Sequence, residues 1–194
     1  QNSTIGRRLM NAVLRRAEER GFASVRLVQA AYHNRSLSLY AKLGFDTREP
    51  LSLMNGPALN FKMPTHVVRA ANANDREACN DLCFRVHGHT REVEVADAIN
   101  EESASVVEQE GRITGYTTGI SFLGHSVAES NEDLKALIGA VTEFQEPGFL
   151  LPTRNSDLFR WCLEKGLRVV QPMTLMSKGL YNEPRGAFLP SILY

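Results

Sequence analysis

Two stretches decide the fold: residues 34–54, NRSLSLYAKLGFDTREPLSLM, and residues 155–176, NSDLFRWCLEKGLRVVQPMTLM. Each reads as a short helix, a glycine stop and an extended run. In the first, Asn34 is a residue type that caps helix starts, and Leu37, Tyr40 and Leu43 follow at helical spacing. Gly44-Phe45 ends that helix, and the extended segment to Met54 is interrupted by Pro50. The second stretch repeats the plan with Asn155, Trp161, Gly166-Leu167 and Pro172. From the glycine onward the differences 166−44, 172−50, 175−53 and 176−54 all equal 122, and the four residues are identical. Aligning Asn34 with Asn155 sets Tyr40 against Trp161. The chain therefore carries an internal repeat.

Working outward, residues 4–20 form a helical pattern in which Ile5, Leu9, Val13 and Ala17 recur at every fourth position. Gly21 stands where a helix ends, and Val25 to Ala30 reads as a strand. Residues 57–65, with Pro57 and Pro64 near their ends, read as a linker. Beyond it come a strand at 66–70 and a helix capped by Asn74-Asp75 that runs through Ala78, Leu82 and Val86. A helix over 91–100 and a hairpin turning at Gln109-Glu110-Gly111 follow. A helix over 131–144 and a strand at 149–151 lead into the repeated stretch.

The reading divides the chain into residues 1–62, the C-terminal half of an α/β domain, residues 66–180, a second such domain, and an apolar tail, 181–194. With Phe188, Leu189, Ile192, Leu193 and Tyr194 the tail is too apolar for a free end, which predicts that it docks. If the second unit starts at 66, its counterpart starts at 66−122, or −56, so about 56 residues of the first repeat are expected before Gln1. The absence of an initiator Met agrees with that expectation. Residues 1–60 are then expected to complete their sheet with a preceding segment, a second chain or an exchanged copy in a homodimer.

Composition bounds the chemistry. The 194 residues include 22 basic and 22 acidic ones, a balance that argues against nucleic acid or an anionic membrane as main partner. No apolar run approaches the roughly 20 residues of a membrane span, and Gln1-Asn2-Ser3-Thr4 is too polar for a secretory leader. Three cysteines, Cys79, Cys83 and Cys162, point to reduced thiols and a cytoplasmic protein. Cys83, His87 and His89 lack a second ligand pair, so no metal is expected. Cys162 with His125 has the makings of a thiol dyad, but Phe159, Trp161 and Leu163 around Cys162 argue for burial instead.

The first unit resembles the GNAT superfamily of acetyl-CoA-dependent N-acetyltransferases. The resemblance rests on Gln1-Asn2-Ser3-Thr4-Ile5-Gly6, matching the loop Q/R-x-x-G-x-G/A, and on Asn34, Tyr40 and Leu43-Gly44-Phe45 downstream. It covers residues 1 to about 56 and departs from the pattern at Thr4, where the family has glycine. It implies an α/β (α+β) fold of mixed, mostly antiparallel sheet flanked by helices, in tandem. It further implies acetyl transfer to a primary amine by direct attack in a ternary complex, with an amine-bearing small molecule or peptide as partner. Gln1, Thr4, Ile5, Gly6, Arg7, Arg8 and Asn34 would hold acetyl-CoA, and Tyr40 would protonate the departing thiolate.

The physics suits these residues, because a helix N-terminus offers free N–H groups and partial positive charge to a pyrophosphate. A tyrosine hydroxyl is protonated at neutral pH and can donate. Ordinary explanations stand beside each: a helix start with surface arginines, a capping Asn34, a core Tyr40. In the second unit Glu129, Glu132 and Asp133 crowd the corresponding helix start, and Trp161 takes the Tyr place. That unit is expected to have lost its cofactor. A non-catalytic acyl-CoA-binding or dimerisation module is the rival reading of the whole.

Overall fold

The computed structural model describes residues 3–193. The first half comprises helix α1 (Ser3–Glu19), strand β1 (Ser24–Ala30), helix α2 (Asn34–Lys42) and strand β2 (Asp46–Asn55). Past the linker come β3 (Val67–Ala70), α3 (Arg76–His87), α4 (Glu92–Asn100), β4 (Ser105–Gln109), β5 (Arg112–Thr117) and β6 (Ser126–Ala128). The chain closes with α5 (Asn131–Gly139), β7 (Phe149–Pro152), α6 (Ser156–Glu164), β8 (Arg168–Gly179) and β9 (Ala187–Leu189). The strands build two antiparallel sheets flanked by helices, in the orders β3-β4-β5-β6-β9 and β1-β8-β2-β7.

The second sheet interleaves the two repeats. Strand β8 lies between β1 and β2, and β2 lies between β8 and β7, so each repeat lends its last strand to the other. The 122-residue spacing runs through the register. Leu51 faces Pro152 and Met173 faces Ala30; Met54 faces Phe149 and Met176 faces Leu27, each second pair being the first shifted by 122. Between β2 and β8 the pair Leu51–Met173 maps onto itself, since 51+122=173. The residues skipped at the two irregularities, Arg48 and Val170, also differ by 122. The local pseudo-twofold axis therefore passes through Leu51 and Met173.

Alternation across these strands buries both faces of the sheet. Leu51, Leu53, Leu150, Met173 and Leu175 form one core, joined by Phe122, Tyr181 and Ile192. Met54, Phe149 and Leu151 point the other way and pack with Leu134, Leu137 and Ile138 of α5 and with Leu158 and Cys162 of α6. The tail docks as expected: β9 pairs with β6, and Ala187 and Leu189 join the core that contains Phe149 and Leu151. No helix among the described residues is long and apolar enough to cross a membrane.

Several elements differ from the sequence reading. Asn34 is the first residue of α2, not its cap; His33 holds that place and makes no side-chain cap bond. In the second repeat Asn155 does cap α6, accepting from Leu158 N. The helices thus correspond at 122 throughout, because Phe45 N donates to Tyr40 O as Leu167 N donates to Cys162 O. Tyr40 corresponds to Cys162 rather than Trp161. The helix predicted over 131–144 stops at Gly139, against which Phe61 of the linker packs. A Cβ there would lie 2.7 Å from Phe61 O, and Phe61 N donates to the Gly139 carbonyl. The cap of the 73–87 segment is Asn72, paired with Asp75 in a capping box. For β2 the completing partner is the chain's own second repeat; the outer edge of β1 has no strand partner among the described residues.

One ion pair locks the exchange. Glu49 on β2 is 1% exposed, and Arg154, beyond β7, donates to its carboxylate at 2.6, 3.1 and 3.2 Å. Removing one partner of a buried pair leaves an uncompensated charge. Arg154→Ala should cost about 2–3 kcal/mol, the low end for such losses because the arginine faces solvent. Glu49→Gln should cost less, and urea denaturation midpoints of the two variants check the order.

Candidate functional site

The second turn of α1 and one flank of α2, from its first residue to its last, line one cleft of about 420 Å³. Gly6 and Arg7 line it from α1, and Asn34, Arg35, Ser36, Ser38, Leu39 and Lys42 line it from α2. Its charged side chains are all cations: Arg7, Arg35 and Lys42. Neither helix carries an acidic residue in its first turn. Three cations make the space favourable for an anion, and the acid-free starts of both helices add no opposing charge. Ser36 and Ser38 add hydroxyls.

Gly6 is telling. A Cβ there would meet Leu39 Cδ2 at 3.5 Å, an ordinary contact, so packing does not demand glycine. Glycine inside a helix costs roughly 1 kcal/mol relative to alanine. What it leaves is backbone open to the cleft.

Of the residues singled out from sequence, the structure brings Gly6, Arg7 and Asn34 together. Ile5 is 62% exposed and Arg8 is exposed, and neither lines the cleft. Thr4 belongs to the first turns of α1, and Gln1 lies outside the described residues. Tyr40 turns from the cleft to pack edge-on against Phe45, with ring centroids 6.1 Å apart. Sequence reasoning missed Arg35, Ser36, Ser38 and Lys42. Arg35, Ser38 and Lys42 share one helix face through the spacing 35, 38, 42, a polar pattern that apolar periodicity does not reveal, and Ser36 carries no such signal.

The corresponding helix start of the second repeat carries acidic side chains instead. Ser130 and Asp133 form a capping box in which the Ser130 hydroxyl accepts from Asp133 N and the Asp133 carboxylate accepts from Ser130 N. Asp133 is buried and also receives hydrogen bonds from Gln109 and the Thr114 hydroxyl. Glu129 is held below the usual carboxylate range by hydrogen bonds from Arg112 and by the charge of Arg85. Beside β6, the first sheet is completed by β9.

A buried polar network joins α4 to the sheet. Glu94 Oε2 lies 3.2 Å from His125 Nδ1, and His125 Nε2 lies 2.9 Å from the Tyr116 hydroxyl. Arg91 donates to Glu94 at 2.8 Å. The hydrogen bond with His125 pulls the Glu94 carboxyl down to about 2, while burial lowers His125. His125 is thus committed to this network and not to Cys162, whose thiol burial pushes up to about 12. Burial likewise raises Cys83, and no cluster that could hold a metal ion occurs among the described residues.

Comparison with known proteins puts these features in a family context. The profile of the acetyltransferase (GNAT) family matches residues 1–45. No curated protein matches the chain. Among solved structures, a Pyrococcus horikoshii protein assigned as an acetyltransferase superposes on 100% of this chain with a TM-score of 0.76 at 15% identity. The chain has the acetyltransferase fold. A GCN5-related N-acetyltransferase from Sphaerobacter thermophilus superposes on 94% of the chain (TM-score 0.56, 12% identity), and one from Anabaena variabilis on 88% (TM-score 0.53, 11% identity). This chain spans 66%, 70% and 49% of those three proteins, respectively.

Buried histidines set the acid limit of this fold. His87, stacked on His89, is pushed down to about 3, chiefly by burial. The unfolded chain takes up that proton near the ordinary value of roughly 6.5. Stability is therefore full above that value and is lost as pH falls from it toward 3, with about 2 kcal/mol gone by pH 5. His125 acts in the same direction. The depressed carboxylate Glu94 contributes stability that is full above its ordinary value and is lost only as pH falls from there toward about 2, so it adds little to the loss between pH 8 and pH 5. Urea midpoints at pH 8 and pH 5 should differ accordingly, and an unchanged midpoint would contradict the assignment.

Proposed function

We propose that the protein is an acetyl-CoA-dependent N-acetyltransferase of the GNAT type, built from two such units at 1–62 and 66–180 with a docked tail at 181–194. The cofactor's phosphates would sit in the cleft between α1 and α2. The supporting observation is that cleft itself: two acid-free helix starts, three cations and a glycine that packing does not need. Gly6 would let the backbone approach the pyrophosphate, Arg7, Arg35 and Lys42 would neutralise it, and Asn34 would hydrogen-bond the ligand. Acetyl-CoA supplies the thioester that a primary amine attacks directly. Tyr40 would donate a proton to the departing sulfur after turning from Phe45. The profile match over residues 1–45 and the shared fold agree with this reading.

A second reading draws on one observation. Because Tyr40 packs against Phe45 and does not line the cleft, a non-catalytic acyl-CoA-binding or dimerisation module also accommodates the geometry.

Calorimetric titration with acetyl-CoA tests the first reading and kinetics separate the two. Saturable micromolar binding is expected, weakened at least tenfold by Arg35→Glu. In the enzyme, Tyr40→Phe keeps that affinity and lowers turnover by about 10²-fold or more; in the binding module it changes nothing. Absence of acetyl-CoA binding would sink the enzyme and the acyl-CoA-binding module and leave only the dimerisation module.

A further inference from the structure

A second cleft, of about 870 Å³, lies where the two halves of the chain meet. Phe22, Ser24 and Arg26 line it from the start of β1, and residues 89–94 line it from the connection into α4. Phe22 is 61% and Val93 72% exposed, so the cleft offers two uncovered apolar side chains. Glu92 and Glu94 bring carboxylates. Arg91 and His125 engage Glu94, while Glu92 reaches only the Thr90 hydroxyl, at 3.5 Å. Within one cleft stand an apolar patch and an exposed carboxylate.

His89 supplies the reactive group. Its Nδ1 lies 3.4 Å from the Thr90 carbonyl oxygen. A carbonyl only accepts, so Nδ1 carries the hydrogen and Nε2 the lone pair. Charged and titratable neighbours surround the ring: Arg91 and Glu94 from α4, Arg26 from β1 and the stacked His87 from α3. Desolvation, then Arg91 and Arg26, lower its proton affinity, and Glu94 opposes them. The ring is thus neutral at physiological pH and able to accept a proton.

Strand β1 connects the two clefts. Ser24 and Arg26 stand at its start in this one, and four residues past its end at Ala30 stands Asn34 in the other. The seven residues span about 20 Å, and their outer edge carries no strand among the described residues. A long thioester anchored by its phosphates at one end of β1 would run the length of that strand to reach the other.

We propose that this junction cleft is the acceptor site, that it takes a primary amine bearing an apolar group, and that His89 is the base. The proposal rests on the reading of the first cleft as the acetyl-CoA seat. Glu92 holds the substrate ammonium, and Phe22 and Val93 cover its apolar part. His89 Nε2 takes one proton from the ammonium and frees the lone pair. That pair forms the C–N bond to the thioester carbonyl carbon as the C–S bond breaks. The nitrogen's second proton balances the one that the thiolate takes up, and His89 returns its own to water. The second half of the chain, silent toward the cofactor, would thereby complete the active site of the first.

Phenethylamine is a suitable probe, titrated by calorimetry without acetyl-CoA. Saturable binding is expected, weakened at least fivefold by Phe22→Ser and by Glu92→Gln. Absence of saturable binding, or binding that neither variant alters, would overturn the acceptor site. With acetyl-CoA present, His89→Gln should keep both binding affinities and lower N-acetylphenethylamine formation by about 10²-fold or more. It should also abolish the rise in rate as His89 deprotonates. Turnover within twofold of the parent across pH 6 to 9 would overturn His89 as base. Phenethylamine binding without acetyl-CoA binding would refute the cofactor reading alone and leave the amine cleft supported.

Discussion

The pairing of β2 with β8 is the contact on which the rest depends. A strand's backbone groups must be hydrogen-bonded once buried, and here each repeat satisfies that need with the other's last strand. Neither β1 nor β7 touches the strand that follows it in its own repeat. The two halves are therefore joined by main-chain bonds through the centre of the molecule, and the Glu49–Arg154 pair adds a charge-assisted link across the same join. Two of the three cores form on the faces of this one sheet; the third packs α3 and α4 against the five-stranded sheet. Long-range closure of this kind requires distant segments to meet before either is stable.

Electrostatics then breaks the symmetry that the backbone keeps. The register is twofold to the residue, yet the two equivalent helix starts have opposite character. At α1 and α2 the lining charges are arginines and a lysine; at α5 a serine and an aspartate form a capping box. The same backbone plan thus carries cations at one helix start and carboxylates at the other, and β9 completes the sheet beside β6 of the second repeat.

Much of this was legible because periodicity and glycine stops are local signals. The strands read at 25–30 and 45–54, the hairpin at 105–117 and the helices follow from them, and the docking of the tail follows from its apolar composition. The equivalence of Tyr40 and Trp161 was off by one because it assumed that both asparagines cap their helices; His33 takes the first cap position without a side-chain bond, a choice that composition does not reveal. The end of α5 at Gly139 was missed because Phe61, seventy-eight residues earlier, supplies the obstruction (139−61=78). Arg35 and Lys42 escaped notice because isolated cations on a helix look like ordinary solvated surface until a second helix is placed beside them.

By itself, the sequence determined the repeat, its 122-residue spacing and the element types, since each depends on neighbours a few residues apart or on identity at a constant offset. Tertiary structure alone decided which strand lies beside which. Exchange between repeats uses the same residues, in the same alternation, as pairing within them, and hydrophobic pattern cannot tell the two apart. The same holds for both clefts. Each is made where segments separated along the chain come within reach of one molecule, and that proximity is a property of the folded chain.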